Sequence, residues 1–425
     1  MIRRIEDDIW DEVPNPFCGA ITDELKVKIE GNRLTVLESS CPITKYALEQ
    51  EIGDSTPKIQ GKPVTLEAAI KQIVEILDQS HLPLLSGLAT DIAGIQAILA
   101  LADHYGAVVD HIASKSLLSN ILAFQNSSWI TTTLSEVKNR LDLLMIVGSD
   151  IEASFPQFFK RYVWNTNTLF DRDPSQRKII YLGQLPNGQK PHQPDGYPSQ
   201  IINCKLEDLP EVIAALKAQI IGNLLQAKTV ASITIKELTD LANQLKQARY
   251  GVITWITEQW TFPHAELTVQ VLGELIKAVN KTTRCSGLPL GGLHGEITAS
   301  HVCTWQTGYP IRISFAPSYP DYDPYHYATQ QLLDSGEADT LIWISAFDQR
   351  IIPPLTSIPT IVLGRSGMHL MQVPEVFIPV GTPGIDHQGH IYRADNAVIM
   401  PLYKLRDSGL PSTAEILNAI LRYSL

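Results

Sequence analysis

Two cysteines with a predicted hairpin between them constrain the N-terminal part of this chain more than any other feature. Cys18 follows an Asn-Pro-Phe tripeptide, and Cys41 precedes a proline. Between them, apolar and polar residues alternate over residues 25–30, a Gly-Asn pair follows, and an apolar run returns over residues 34–37. Alternation with a period of two around a turn pair predicts a β-hairpin. We therefore expect residues 1–50 to form a small β-rich unit that carries both cysteines.

Charge and cysteine usage narrow the classes of function. The chain has 425 residues and a formal net charge of −11. Nucleic acids and anionic membranes attract basic surfaces, so we expect neither as a general partner. No apolar run approaches the ~20 residues of a membrane-spanning helix, and the first residues turn acidic where a signal peptide would turn apolar. Five dispersed cysteines are not typical of a disulfide scaffold and favour a reducing, cytoplasmic compartment.

From residue 64 onward, short apolar segments alternate with segments of helical spacing. The strand-like runs cover residues 83–87, 107–109, 141–147, 178–183, 251–256, 340–344 and 360–364. Thr234 and Glu237 have the spacing of a capping box, which predicts a helix start. Such alternation predicts α/β layers around mostly parallel sheets.

Four segments carry motifs of one known family. Thr131–Arg140 reads TTTLSEVKNR and is similar to the motif TLGEVKNRAD, and Val302–Pro310 reads VCTWQTGYP and is similar to VCTWxTGYP. Phe155–Tyr162 is similar to HPRHxSRY, and Gly384–Asn396 to GIExEGTAYRMDN. These motifs resemble those of the B subunits of formylmethanofuran dehydrogenases, a molybdopterin oxidoreductase-like family. Together with the cysteine segments, they spread the resemblance over most of the chain.

The resemblance assigns four N-terminal places to the ligands of a [4Fe–4S] cluster, in a C-x2-C-x3-C … C frame. In this chain the four places fall on Asn15, Cys18, Thr22 and Cys41. A cubane cluster takes four thiolates, and amide and hydroxyl oxygens are poor ligands for iron that prefers sulfur donors. We therefore interpret the four positions as vestigial and expect no cluster. The alternative is that Cys18 and Cys41 form a residual metal or redox pair.

Active members of the family also bind molybdenum or tungsten, held by a pterin guanine dinucleotide, through a cysteine or selenocysteine. The resemblance places that ligand within residues 111–120, which contain no cysteine. The alternative ligand is a hydroxyl of Ser114, Ser116 or Ser119. Two further places suit a nucleotide: Ser149-Asp150 after a predicted strand, and the glycine-rich segment 287–295, which we predict as a loop. We expect an emptied or filled crevice, with no molybdopterin or tungstopterin and no metal.

The resemblance also implies an architecture, a formate dehydrogenase-like α/β fold. A degenerate iron–sulfur domain is expected over residues 1–55. A Rossmann-like α/β domain, split over residues 56–135 and 285–425, is expected to surround an inserted Rossmann-like domain over residues 136–284. The C-terminal β-barrel that completes pterin binding in single-chain relatives is not expected.

This chain keeps the family motifs but lacks cysteine at two of the four cluster positions and at the metal-ligand position. In this combination it resembles the B subunits of formyltransferase/hydrolase complexes of aerobic methylotrophic bacteria. That resemblance implies a non-catalytic structural subunit in tetrahydromethanopterin- and methylofuran-linked oxidation of formaldehyde carbon to formate. The implied partners are an amidohydrolase-like A subunit, a C subunit and a formyltransferase D subunit, with methylofuran as carrier. Hydrolysis of a formamide moves no electrons, so a redox cluster has no task in such a complex.

Two other functions stay open. One is the catalytic B subunit of a molybdenum or tungsten formylmethanofuran dehydrogenase, which would carry the [4Fe–4S] cluster and the metal–pterin. The other is a module that binds the polyglutamyl tail of the furan carrier through Lys138, Arg140, Lys160 and Arg161. The competing interpretation of these four cations is a set of solvated or ion-paired surface charges.

Overall fold

The computed structural model describes residues 2–6, 8–20, 25–38, 41–170, 173–184 and 199–424. The chain divides into two compact units. The first unit comprises Met1–Ser114 and Gly292–Leu425, and the second comprises Lys115–Gly291. Within the described ranges, every helix is too short or too polar to cross a membrane.

The first unit begins with a four-stranded antiparallel sheet followed by a short helix. The elements are β1 (Arg3–Glu6), β2 (Ile9–Val13), β3 (Leu25–Glu30), β4 (Arg33–Glu38) and α1 (Pro42–Leu48). The predicted hairpin is confirmed, because β3 and β4 pair with Val27 opposite Val36. Their apolar face shares one core with Phe347, Ile385 and Leu402 from the C-terminal part of the same unit. The N-terminal sheet is therefore packed onto the α/β part of this unit.

The first unit continues into an α/β region before the chain enters the second unit. This stretch contains β5 (Lys58–Ile59), β6 (Lys62–Pro63), α2 (Leu66–Leu77), β7 (Pro83–Ala89), α3 (Ile92–Tyr105) and β8 (Val108–Val109). Helix α3 begins at the N-cap Asp91 and ends at Gly106, whose φ of 63° is left-handed. Glycine adopts that conformation without steric cost, which is why it terminates helices so often.

The second unit is a parallel sheet with helices along it. Its elements are α4 (Ser114–Ser127), α5 (Leu134–Arg140), β9 (Leu143–Val147), α6 (Ile151–Ser154), a π-helix (Phe159–Val163), β10 (Lys178–Leu182), β11 (Ser199–Ile202), α7 (Leu209–Ile220), β12 (Thr229–Val230), β13 (Ile233–Thr234), α8 (Ile235–Gln247), β14 (Gly251–Trp255), α9 (Ala265–Val279) and β15 (Cys285–Pro289). The strand order is β11-β10-β9-β14-β15, and all four pairings are parallel. The predicted capping box at Thr234 and Glu237 is confirmed.

The chain then returns to the first unit. The returning elements are α10 (Glu296–Thr307), β16 (Ile313–Ser314), β17 (Asp321–Tyr322), α11 (Thr329–Ser335), β18 (Thr340–Ser345), β19 (Thr360–Gly364), β20 (Val376–Pro379), β21 (Gly389–Tyr392), β22 (Ile399–Leu402) and α12 (Thr413–Ser424). They complete a nine-stranded sheet in the order β17-β16-β8-β7-β18-β19-β20-β5-β6. The inner strands from β8 to β20 run parallel, and antiparallel strands flank them on both edges.

Each α/β sheet therefore has a point where its strand order reverses. In the first unit this point lies between β7 and β18, and in the second unit between β9 and β14. Open α/β sheets bind their ligands outside the carboxyl ends of the strands at such a switch point. These two points, with the segments around Cys18 and Cys41, which we call the cysteine corner, are the candidate sites of this fold.

Candidate functional site

The cysteine corner of the first unit is built around a buried asparagine. Asn15 is only 1% exposed. Its Nδ2 donates to Thr44 Oγ1 at 2.5 Å, and its Oδ1 accepts a hydrogen bond from the Phe17 backbone N–H at 3.0 Å. The side chain thus ties the segment before Cys18 to helix α1. An iron ligand at position 15 would require both bonds to break.

The two cysteines of the corner are buried thiols. Cys18 and Cys41 are 6% and 5% exposed. Cys41 is the N-cap of α1, and its carbonyl accepts the Lys45 N–H at 3.1 Å. None of the five cysteines, all of which the structure describes, forms a disulfide. The predicted position Thr22 lies outside the described residues.

The donors described at this corner do not fit a cubane cluster. They supply two thiols and a carboxamide that is already bonded within the protein, whereas the cluster takes four thiolates. Within the described ranges, no three His, Cys, Asp or Glu side chains converge as a metal site. We derive no redox step through this corner.

The switch point of the first unit is filled by the protein's own chain. Ala346 N–H donates to Ala89 O at 2.8 Å, which extends the pairing of β7 and β18 beyond their ends. Phe347 follows and is 1% exposed, and its ring packs edge-on against Phe17 with centroids 6.4 Å apart. A Cβ on Gly295 would lie 2.9 Å from Thr90 O and 3.3 Å from the Phe347 ring. Little space therefore remains between these segments.

A carboxylate occupies the N-terminus of one helix in this region of the first unit. Asp91 Oδ1 accepts the Gly94 N–H at 3.1 Å and caps α3. Glu296, the first residue of α10, accepts the Gly292 N–H in the segment before that helix, and α10 itself has no side-chain cap. Both side chains are buried, at 3% and 6% exposure. A helix N-terminus attracts a phosphate because its N–H groups are unsatisfied, so a carboxylate already bonded there opposes phosphate binding.

His111, the first residue of the predicted metal-ligand stretch, is held by hydrogen bonds on both ring nitrogens. Nδ1 accepts the Ala113 N–H at 3.0 Å. The proton of the neutral ring therefore lies on Nε2, which donates to His294 O at 3.2 Å. Burial lowers the pKa of His111 to about 3. The imidazole is therefore neutral at physiological pH, and its lone pair is already used.

The serines that would replace the metal-ligating cysteine also have internal partners. Ser114 Oγ accepts from Arg312 Nη2 at 3.0 Å, and Ser119 Oγ donates to Lys115 O at 3.2 Å. The carbonyl of Ser116 accepts from Thr257 Oγ1 at 2.8 Å. Neither the Ser114 nor the Ser119 hydroxyl is placed as an uncommitted metal ligand.

A buried ion pair beside this stretch was not anticipated from the sequence. Asp110, at the end of β8, accepts from Arg312 Nε at 3.3 Å on Oδ1. Its Oδ2 accepts from the N–H and the hydroxyl of Thr329, at 2.7 and 2.9 Å. Burial raises the pKa of Asp110, while Arg312 opposes that shift. Asp110 therefore fixes the end of β8 to Arg312, just before β16, and to Thr329, the first residue of α11.

At the predicted crevice of the second unit, Ser149-Asp150, the polar groups also have partners within the protein. Ser149 Oγ donates to Val147 O at 2.8 Å and accepts the Ile256 N–H at 2.9 Å, which bridges β9 and the segment after β14. Gln259 Oε1 accepts the Asp150 N–H at 2.7 Å, and its Nε2 donates to Asp150 O at 3.0 Å. The polar groups that a nucleotide would meet at this switch point are bonded to one another.

The glycine-rich segment 287–295 is not one loop. Gly287, Leu288 and Pro289 belong to β15, so the prediction of a loop is wrong for them. A Cβ on Gly287 would lie 2.6 Å from the Trp129 ring, so this glycine serves packing within the second unit. The remainder contains the left-handed Gly292 and Gly295, which lead into α10 in the first unit.

The four predicted carrier-binding cations lie on two neighbouring elements of the second unit. Lys138 and Arg140 belong to α5, and Lys160 and Arg161 belong to the π-helix. Arg140 pairs with Glu136 at 2.6 Å and covers the Phe170 ring at 4.8 Å. Lys160 is exposed, and Lys138 and Arg161 are half-buried.

Arg177 holds these two elements together, and sequence reasoning missed it. The side chain is 1% exposed. Its Nη2 donates to Lys138 O at 2.7 Å, and its Nη1 donates to Tyr162 O at 3.1 Å and to Val163 O. A guanidinium suits the carbonyl-rich ends of two helices because it is always charged and has five donors. No local sequence pattern predicts that an arginine will bond to backbone carbonyl groups of two other elements.

Comparisons with known proteins confirm the predicted resemblance. No protein-family model matches the chain. The B subunit of tungsten-containing formylmethanofuran dehydrogenase 2 from Methanocaldococcus jannaschii is 26% identical over 427 residues, which cover 96% of each chain. Its counterpart from Methanococcus maripaludis is 24% identical over 98% of each chain. The B subunit of the formyltransferase/hydrolase complex Fhc from Methylorubrum extorquens is 26% identical over 80% of this chain and 89% of that protein.

Two solved structures share the fold. One chain of the formyltransferase/hydrolase complex FhcABCD from Methylorubrum extorquens, solved in complex with methylofuran, matches with a TM-score of 0.73 and 23% identity, over 87% of this chain and 98% of that one. Acetylene hydratase from Pelobacter acetylenicus matches with a TM-score of 0.62 and 7% identity, over 97% of this chain and 69% of that one. The chain is thus a mixed α/β protein with the fold seen in both.

Proposed function

We propose that this chain is a non-catalytic structural subunit of a formyltransferase/hydrolase complex, in tetrahydromethanopterin- and methylofuran-linked oxidation of formaldehyde carbon to formate. Its relatives include subunits of that complex and subunits of tungsten enzymes, so homology alone does not choose between them. The observation that carries the choice is Asn15, whose amide is bonded to Thr44 and Phe17 at a place where the family frame has a cluster thiolate.

The two switch points support the same proposal. A metal–pterin dinucleotide needs space and hydrogen-bond donors at the carboxyl ends of the strands. In the first unit Phe347 and the Asp91 cap of α3 occupy this region, and in the second unit the backbone N–H groups of Ile256 and Asp150 are already bonded to Ser149 and Gln259. A chain whose own residues satisfy these groups has no need of the cofactor for its fold.

The remaining parts of the proposal concern partners and place. We assign formamide hydrolysis to an amidohydrolase-like A subunit and formyl transfer to a D subunit, with a C subunit and methylofuran completing the assembly in the cytoplasm. This chain would hold those subunits in position. Neither reaction moves electrons, which is consistent with a subunit that lacks four thiolates at the cysteine corner.

Metal analysis of the assembled complex tests the proposal. The complex is purified through a tag on this chain, and iron, molybdenum and tungsten are measured per copy of the chain, with zinc as the internal reference for the hydrolase subunit. We expect iron, molybdenum and tungsten well below one atom per chain and no iron–sulfur absorption band. Stoichiometric iron with tungsten or molybdenum would establish the dehydrogenase alternative instead. Absence of hydrolase and transferase subunits from the purified material would reject the structural role.

We propose carrier binding as a second candidate function, which the Arg177 contacts favour. Because Arg177 bonds to both α5 and the π-helix, the two elements that carry the four cations are held together, and Arg140 and Lys160 are exposed there. An acidic polyglutamyl tail would be attracted to them, and salt would screen that attraction. Calorimetry of the complex with polyglutamate at low and high ionic strength is the test. Lys160→Glu should weaken binding, whereas Lys236→Glu, an exposed lysine on α8, should not. Equal heats for both variants would reject this function.

A further inference from the structure

A buried cluster of polar side chains lies at the carboxyl ends of β19 and β20 in the first unit. Arg365 follows β19 directly, and Thr382 and Asp386 come shortly after β20. Because β19 and β20 are parallel neighbours, both segments lie at the same edge of the sheet. Arg406, between β22 and α12, joins them, since its Nε donates to Asp386 Oδ1 at 2.7 Å. We call these four residues the Arg365 cluster, and each is at most 6% exposed.

Arg365 is a buried cation without a carboxylate partner. Its Nη1 donates to Phe347 O at 3.2 Å, and Nη1 and Nη2 donate to Ala47 O at 3.3 and 3.4 Å. Among the ion pairs that the described residues form, none includes Arg365. Burial lowers the pKa of Arg365 to about 10, because desolvation disfavours the charged guanidinium. A buried charge that is not paired is costly to the fold.

The other charges near Arg365 are already balanced. Asp386 pairs with Arg406, and both side chains of this pair are buried. Asp348 also acts on Arg365 electrostatically, but it pairs with Arg350 at 2.6 Å. Each of these two pairs is neutral as a whole. The positive charge of Arg365 is therefore left without compensation.

Two polar side chains beside the cluster make no hydrogen bond. They are Thr382, through Oγ1, and Gln50, through Nε2 and Oε1, and all three atoms are buried. The Thr382 N–H donates to Asp386 Oδ2 at 2.8 Å. Gln50 O accepts from Arg406 Nη1 at 2.8 Å. Both residues are thus held next to the buried ion pair by their backbone groups. Buried polar groups in native proteins are bonded to protein, water or an ion.

We propose that the Arg365 cluster binds one small monovalent anion, of the size of chloride or formate, with Arg365, Thr382 and Gln50 as its ligands. A single negative charge compensates the guanidinium, and the Thr382 hydroxyl and the Gln50 Nε2 supply hydrogen-bond donors. A water molecule would satisfy the donors but leave the charge. The anion has to be small, since a Cβ on Gly381 would already lie 3.0 Å from Asp386 Cβ. This ion site does not depend on the proposed function.

Thermal unfolding of the full chain in three salts tests the proposal. Sodium gluconate, whose anion is too large for a buried site, is replaced stepwise by sodium chloride or sodium formate at a constant ionic strength of about 0.2 M. A ligand that binds only the folded state stabilises it, so the midpoint of the wild type should rise by about 2 °C in chloride or formate. Chlorine-35 NMR of the folded wild type is a direct second readout. Bound chloride broadens the line, and formate should narrow it by displacing chloride.

Two substitutions remove the proposed ligands one at a time. Arg365→Met removes the charge and should abolish the response of the midpoint to chloride. Thr382→Val keeps the shape of the side chain and removes only the hydroxyl, so the apparent affinity for chloride should fall about 10-fold. Thr268→Val is the matched control. Thr268, on α9 in the second unit, is also buried with a hydroxyl that makes no hydrogen bond, and this variant should respond as the wild type does.

The salts and the variants together separate the outcomes. A response in the wild type and in Thr268→Val that is lost in Arg365→Met and weakened in Thr382→Val supports the proposal. Equal wild-type midpoints in all three salts, with an unchanged chloride line, overturn it. The same response in every variant also overturns it, because the anions then act on the exposed surface. If Arg365→Met does not fold, the comparison of Thr382→Val with Thr268→Val decides. The metal analysis of the complex is unaffected by any of these results, so the proposed function is tested separately.

Discussion

The carboxyl edges of the two α/β sheets differ from the two loops on either side of β19, residues 351–359 and 366–374, which we call the 351–374 surface. At the edges, Ser149, Gln259 and Asp91 are bonded to backbone groups of their own unit. At the 351–374 surface, Met371 and Val373 project into solvent. In the first arrangement the side chains are satisfied within the chain, and in the second they are left to the solvent.

This contrast predicts where substitutions are costly. The hydrogen bonds at the carboxyl edges of the sheets stabilise the isolated chain. A buried polar group that loses its partner costs the full desolvation energy. Exposed apolar side chains contribute little to the stability of the isolated chain, because they bury little area. Substitutions on the two sides of the contrast should therefore differ in their cost.

Asn15→Ala should have the largest effect. It removes the bond to Thr44 and leaves the Phe17 N–H without its acceptor, both in buried surroundings. We expect the free energy of unfolding to fall by about 2–3 kcal/mol, measured by urea denaturation of the isolated chain. Asn32→Ala is the control, since Asn32 is exposed and its Oδ1 accepts the Asp407 N–H at 3.2 Å. A loss below about 0.5 kcal/mol for Asn15→Ala would show that this bond does not hold the corner.

His111 should make stability depend on pH. Its pKa is about 3 in the folded chain and about 6.5 when unfolded, so the unfolded state takes up the proton first as pH falls. The stability that the neutral imidazole contributes is complete above pH 6.5 and is lost towards pH 3. Between pH 8 and pH 5 the wild type should lose about 2 kcal/mol more than His111→Asn. Parallel denaturation curves for both proteins across that range would contradict the assignment of a buried neutral histidine.

The local part of this structure could be predicted from the sequence. The hairpin of β3 and β4, the alternation of strands and helices, and the cap at Thr234 each depend on residues a few positions apart. The prediction of a loop at Gly287–Pro289 was wrong. Glycine and proline are typical of loops, but β15 is an edge strand, and an edge strand tolerates both residues.

The contacts that close the sites could not be predicted in the same way. Ser149 bonds to Ile256, 107 positions away, and Arg177 bonds to Lys138, 39 positions away. Both act on backbone groups, which every residue has, so the partner's identity leaves no trace in the sequence. The cysteine frame could indicate that Asn15 is a poor iron ligand, but only the structure shows what the asparagine does instead.

Ser149→Ala should have an intermediate effect. The substitution leaves the buried Ile256 N–H without its acceptor and removes the bridge to Val147 O. We expect the free energy of unfolding, measured by thermal denaturation, to fall by about 1–2 kcal/mol. Ser149→Thr should retain most of the stability, because the hydroxyl is kept. Calorimetry should detect no binding of guanine nucleotide to either protein, because the Asp150 N–H is still bonded to Gln259 Oε1. Guanine nucleotide binding by the wild type would show that this switch point is open.

Met371→Ser combined with Val373→Ser should have the smallest effect on the isolated chain. Both side chains are more than half exposed, so their removal opens no cavity, and the free energy of unfolding should change by less than about 0.5 kcal/mol. Val362→Ala, in the buried strand between the two loops, should by contrast cost about 2 kcal/mol. If the serine pair destabilises the isolated chain as much as Val362→Ala does, the 351–374 surface belongs to the core of the first unit, and the contrast between closed edges and open surface fails.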